Sequence, residues 1–158
     1  MYIVGIDIGL KGAIASIDSN KPKDVMIWDM PLIEKTIDIV ELKDIMYSLR
    51  DSHVFVEKAQ PMPKQGVVSM FNYGKTYGIV LGVLSALEIP YTLVTPQAWK
   101  KEVLSSMEKD KVASIIRCQQ LYPHLKFKKT DHGKAEALLI AYYGETKLRG
   151  LKSRGHGE

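Results

Sequence analysis

Residues 3–18 read IVGIDIGLKGAIASID, and this stretch decides the fold. The apolar, largely β-branched run predicts a strand over Tyr2 to Ile8. Gly9-Leu10-Lys11-Gly12 predicts a turn, and Ala13 to Ile17 a second strand. Asp7 stands inside the apolar run. Burying an unpaired carboxylate is costly, so Asp7 needs either a structural partner, such as turn amides, or a ligand.

Working outward, Ser19-Asn20-Lys21-Pro22 predicts a turn and Val25 to Met30 a third strand, which makes an antiparallel meander. Helical spacing runs from Ile37 to Leu49. His53 to Val56 predicts a short buried strand ending at Glu57. Gln60 to Gly66, with Pro61 and Pro63, predicts irregular chain. A long helix is expected from about Val67 to Leu87, then a fifth strand over Tyr91 to Val94. Thr95 and Pro96 predict a helix start, with threonine as cap and proline in the first turn. Lys109 to Leu121 reads as a helix closed by Pro123, and Ala135 to Leu148 as the last helix. The expected fold class is mixed α/β, a five-stranded mixed sheet flanked by helices. Residues 1–150 form the domain, and residues 151–158 are expected to be a basic flexible tail.

A chain of 158 residues predicts one domain with a sizeable core. Its 46% hydrophobic and 25% charged residues are those of a soluble globular protein. No apolar stretch is long enough to span a bilayer, and the N-terminus lacks the features of a secretory signal. The single cysteine, Cys118, excludes an internal disulfide and a cysteine-based zinc site. A reducing, cytoplasmic setting is expected. The net charge of +4 and pI near 9.0 fit a polyanionic partner.

Acidic residues recur where acid is costly: Asp7 in VGIDIGLKG, Glu57 at the end of HVFVEKA, and Asp131 and Glu136 in DHGKAEALLIAYYG. Each has a structural alternative, since Glu57 can pair with a lysine and Asp131 can cap a helix. As a set they resemble a cation site, because clustered carboxylates repel unless a cation lies among them. Oxygen donors point to magnesium or manganese, and two such ions can activate water and stabilise a leaving phosphate oxygen.

The ordered motifs GIDIG, FVEKA and DHGKAEALLIA resemble the RuvC-type Holliday-junction resolvases of the RNase H-like nuclease superfamily, in a form closer to their phage branch. The resemblance extends to about Tyr143 and includes SMFNYGKTYGIVLGVLSALEIPYTLVTPQAWKK. It implies a homodimer that cuts four-way and branched DNA with Mg²⁺, Mn²⁺ being able to substitute, with two ions per site and no small-molecule cofactor. It also implies Asp7, Glu57 and Glu136 as metal ligands. The family places a further ligand three residues before the last, where this chain has Gly133. Asp131 is the favoured carboxylate ligand here, with His132 close behind. Lys100 and Lys111 match the family's basic residues, and a cation beside a scissile phosphate stabilises developing charge.

Other residues are expected to contact DNA. In AQPMPKQG, Met62 offers an apolar wedge, with Lys64 and Gln65 as polar contacts and Lys58 just before them. The family carries an aromatic three residues after its glutamate; here that position is Gln60, and Phe71 lies farther on. Lys11, Lys101, Lys128 and Lys129 are further phosphate contacts. Gly74, Gly78 and Gly82 make a stripe at helical spacing, which fits a dimer interface or packing on the chain's own sheet. DIGLKG also resembles the first phosphate loop of sugar kinases and actin, but those proteins need two such domains. A looser nuclease for branched DNA or RNA–DNA hybrids, and a junction-binding protein without catalysis, are the remaining alternatives.

Overall fold

A computed structural model of the chain describes residues 1–105 and 111–155, the side chain of Lys111 excepted. The elements run β1 (Tyr2–Asp7), β2 (Ala13–Asp18), β3 (Lys21–Asp29), β4 (Leu32–Ile33), β5 (Thr36–Ile37), α1 (Ile39–Ser48), β6 (Ser52–Glu57), α2 (Val67–Ala86), β7 (Tyr91–Val94), α3 (Pro96–Val103), α4 (Lys111–Leu121) and α5 (His132–Gly155). Five strands form one sheet in the order β3-β2-β1-β6-β7. The β3-β2-β1 half is antiparallel and the β1-β6-β7 half parallel. This is the mixed five-stranded sheet that the sequence predicts, with β1 at its centre.

Both faces of the central strands are buried, which is why their sequences are almost continuously apolar. Val4 and Ile6 point with Ile14, Val54 and Val56 toward Leu42 and Met46 of α1 and Val80 and Leu84 of α2. Ile3, Ile17 and Phe55 point the other way, into a core with Trp99, Cys118 and residues 137–141 of α5. The Cys118 thiol donates to the Ala135 carbonyl oxygen at 3.3 Å. Burial pushes its pKa up to about 12, so it is an inert core group.

Capping chemistry sets the helix starts. Asp38 accepts from the Glu41 amide at 3.1 Å before α1. Thr95 accepts from the Ala98 amide at 3.2 Å, with Pro96 in the first turn of α3, as expected.

Three boundaries differ from the sequence reading. Pro22, expected in a turn, lies inside β3, which runs over Lys21–Asp29. β3 is an edge strand, where a missing N–H need cost no ladder bond. The hairpin of β4 and β5 is new, because two-residue strands carry no periodicity to read. α5 begins before Ala135 and continues past Leu148, so residues 151–155 of the expected tail are exposed helix. The expected start of α4 at Lys109 lies outside the described residues.

At Gly5, α5 lies on the sheet with backbone against backbone. A Cβ on Gly5 would fall on the Ala137 carbonyl oxygen and the Ala141 nitrogen. A Cβ on Gly144 would fall in the Phe55 ring, and one on Gly133 on the Lys11 carbonyl oxygen. Gly5→Val is therefore expected to cost about 3 kcal/mol or more, since backbone cannot yield as a side chain can. Gly150→Ala, where a Cβ meets nothing within 4 Å, should instead gain up to about 1 kcal/mol. Urea unfolding of both variants checks the pair. A Gly5→Val protein as stable as the parent would contradict the close approach.

Candidate active site

β1 and β6 run parallel, with Gly5 beside Phe55 and Ile6 beside Val56. Each strand ends one residue later, at Asp7 and at Glu57. Side chains alternate along a strand, so Asp7 follows Gly5, and Glu57 follows Phe55, onto the face that α5 covers. The seat of Ala137 on Gly5 then brings Glu136, in the second turn of α5, against Asp7. This strand register and this one helix contact bring three carboxylates from distant parts of the chain to the same end of the sheet. The C-terminal ends of parallel strands are also where α/β sheets generally bind ligands.

The electrostatics of Asp7 and Glu57 are strained. Burial pushes the Asp7 carboxyl well above the usual carboxylate range, and the charges of Glu136 and Glu57 push it further. Lys100 opposes this, while a side-chain hydrogen bond with Glu136 adds to it. Glu57 is raised as well, chiefly by burial and then by Glu136; the Trp99 indole N–H and the Lys100 charge oppose. Trp99 Nε1 donates to Glu57 Oε2 at 2.7 Å. From α2, Tyr73 completes the surroundings: burial, then the charges of Glu57 and Asp7, push its hydroxyl up to about 12. Tyr73 carries no signal in the sequence beyond its place on a helix, whereas Trp99 stands next to Lys100 in PQAWKK.

An open cleft of about 250 Å³ lies beside the acids, lined by Asp7, Lys11, Thr130, His132, Gly133 and Glu136 among others. Of the two candidates for a fourth ligand, His132 lines this cleft. Asp131 stands just before α5. Its carboxylate accepts from the Lys128 amide at 2.8 Å and its carbonyl from the Ala135 amide at 3.0 Å. Asp131 thus closes the turn that leads into the helix. Gly133 is seated on Lys11, which leaves no room for a ligand side chain at that position.

Among the described residues, no group of three or more His, Cys, Asp or Glu side chains lies close enough together to hold a metal ion. Glu57 is tied to Trp99, and Asp7 is hydrogen-bonded to Glu136. Oxygen donors suit a hard divalent cation, and a cation would relieve the charges of Glu136 and Glu57 that act on Asp7.

Around the acids, Lys100 Nζ lies 5.4 Å from the centroid of the Trp99 ring and acts on both Asp7 and Glu57. Lys111 opens α4, but its side chain lies outside the described residues. Lys11, Lys58, Met62, Lys64, Gln65, Lys101, Lys128 and Lys129 are all exposed. Gln60 accepts from Gln97 at 3.4 Å, so the loop after Glu57 touches α3. Phe71 is exposed on α2, near Val67 and Val68, which are exposed too. Gly74, Gly78 and Gly82 form an exposed stripe with nothing of the described chain within 4 Å of a Cβ. Packing on the chain's own sheet, one of the two expected readings of that stripe, does not occur. Among the described residues, no helix is long and apolar enough to cross a membrane.

The raised pKa values of Asp7 and Glu57 carry a sign. A carboxyl whose folded pKa lies above its unfolded value lowers stability once pH exceeds the unfolded pKa. Asp7→Asn is therefore expected to raise the thermal midpoint of the metal-free protein at neutral pH. The gain should shrink as pH falls through the folded pKa of Asp7 toward the ordinary carboxylate range, and vanish below it, where Asp7 is protonated in both states. Thermal unfolding from pH 7 to pH 4 in EDTA checks this, and a gain that does not depend on pH would remove the electrostatic explanation.

No family model matches the chain, and no curated protein matches it by sequence. Solved structures do. Thermus thermophilus RuvC aligns with a TM-score of 0.64 at 16% identity, covering 93% of this chain and 97% of that one. T. thermophilus RuvC in complex with a Holliday junction substrate gives 0.66 at 15% identity, covering 93% and 96%. The chain has the RNase H-like fold of the RuvC Holliday-junction resolvases.

Proposed function

We propose that the chain is a Mg²⁺-dependent, structure-selective DNA endonuclease that resolves Holliday junctions and other branched DNA by cutting opposed strands. The observation that carries this reading is the convergence of Asp7, Glu57 and Glu136 at the ends of β1 and β6 and the start of α5. Like-charged groups held in so small a space are unfavourable in isolation. Their cost is understandable if the site is built for cations.

Asp7, Glu57 and Glu136 would hold the metal, with His132 as the fourth ligand in place of Asp131. Two Mg²⁺ ions fit this reading, with Mn²⁺ able to substitute. Bound there, divalent cations acidify water and stabilise charge on phosphate oxygens. The hydrolysis adds a water oxygen to phosphorus and breaks the bond to the 3′ oxygen, leaving 5′-phosphate and 3′-hydroxyl ends. Lys100, held beside the acids, supplies fixed positive charge toward the phosphate. Lys11, Lys58, Lys64, Lys101, Lys128 and Lys129 supply salt-sensitive phosphate contacts. Met62 and Phe71 are the apolar groups available to part bases at the junction. The open stripe of Gly74, Gly78 and Gly82 would let α2 meet its copy across a two-fold axis, presenting two sites to two opposed strands. The setting is cytoplasmic, that of the host cell if the chain is phage-encoded.

The test is cleavage of a synthetic four-way junction beside duplex and flap controls, with Mg²⁺ and with EDTA. Asp7→Asn should abolish incision and leave gel-shift affinity without metal unchanged or higher, because it removes charge that repels phosphate. His132→Ala should slow cleavage at least about a hundredfold, and Asp131→Asn much less. The opposite ranking would return the fourth position to Asp131. Metal-independent incision, or an active Asp7→Asn protein, would sink the reading.

Assembly is checked separately. Gly78→Leu fills the stripe and should give a folded monomer in sedimentation, since a close interface cannot absorb the bulk. Paired incision should be lost while weak single nicking remains. A well-folded dimeric Gly78→Leu protein would refute the α2 interface.

A further inference from the structure

We propose that Trp99 is a positioning residue for the acidic centre, its indole N–H fixing Glu57 and its ring face fixing Lys100. The inference rests on the reading of Asp7, Glu57 and Glu136 as a cation site. Trp99 is 0% exposed, set in the core beside Val94, Val103 and Leu104, so its ring has no freedom to turn. Its helix is fixed in turn at the start, by the Thr95 cap and Pro96. From this frame Nε1 reaches Glu57 Oε2 at 2.7 Å.

The chemistry of the donor matters. An indole N–H donates and cannot accept, so the bond holds Glu57 as an acceptor and engages Oε2 alone. The terminal torsion of a glutamate is broad and roughly two-fold; the bond selects one orientation. Oε2 is tied, and Oε1 is the oxygen that would meet a cation. The same ring has Lys100 Nζ 5.4 Å from its centroid, within the range of a cation–π attraction. Glu57 on β6 and Lys100 on α3 therefore share one rigid reference. A residue needed only for packing would require neither the N–H nor the ring face.

Trp99→Phe removes the donor but also leaves a void. A second variant avoids this: the benzothiophene analogue of tryptophan at position 99, in a Trp28→Phe background, replaces N–H by sulfur in a ring of nearly the same shape. Mn²⁺ binding to the full metal-free chain without DNA is measured by calorimetry, together with the thermal midpoint. The indole ¹⁵N–H resonance of Trp99 is followed during Mg²⁺ titration of the parent, with Trp28 as internal reference.

The analogue is expected to unfold near the midpoint of the Trp28→Phe protein and to bind Mn²⁺ about tenfold more weakly or worse. In the parent, the Trp99 resonance should move with Mg²⁺ while that of Trp28 stays. If Asp7→Asn abolishes Mn²⁺ binding but the analogue keeps full affinity and the Trp99 resonance ignores Mg²⁺, the positioning role is overturned and the cation site stands. If the analogue only loses stability, Trp99 is a packing residue and the proposal fails. If the parent binds no Mn²⁺, or Asp7→Asn binds it equally well, the cation-site reading fails and takes this proposal with it.

Discussion

The structure depends on the direct contact of α5 with β1 at Gly5. A helix usually stands off a sheet by the depth of two layers of side chains. Here one layer is missing, and the Ala137 carbonyl sits where a Cβ would be. Much of the α5 side of the candidate site takes its position from that contact. It sets the height of Glu136 over the end of β1, presses Gly133 onto the turn after Asp7, and puts Gly144 over Phe55. Small residues at the contact are what allow two polar backbones to approach without a void or a clash.

The acidic centre is the electrostatic consequence. Burial and neighbouring carboxylate charges raise Asp7 and Glu57, and the fold opposes this through Lys100 and the Trp99 N–H. Such strain resembles the kind found at functional sites more than that of a structural ion pair, in which the charges cancel. The two apolar cores on either side of the sheet supply the rigidity that holds the acids together.

The departures from the sequence reading have particular causes. Pro22 reads as a turn residue until its strand is known to be an edge. Asp131 and His132 are adjacent and both can bind metal; which of them lines the cleft depends on where α5 begins, a matter of one residue. Asp131 closes the preceding turn, and that bond is local, but nothing local says that Gly133 is held against Lys11. Trp99 is apolar, helical and next to a lysine, so its sequence describes a core residue equally well. Its bond to Glu57 joins residues far apart in the chain.

What the sequence determined by itself is the set of elements and the chemical inventory. The apolar run interrupted by Asp7, the strand ending at Glu57, the Thr95-Pro96 helix start and the acidic start of the last helix are all local patterns, governed by periodicity and capping. What only the tertiary structure decided is which of these groups meet. Strand order, the parallel register that aligns Asp7 with Glu57, the seating of α5 on Gly5 and the exposure of the α2 glycines are long-range facts. They are fixed by how faces are buried together, and a one-dimensional pattern names a face without naming its partner.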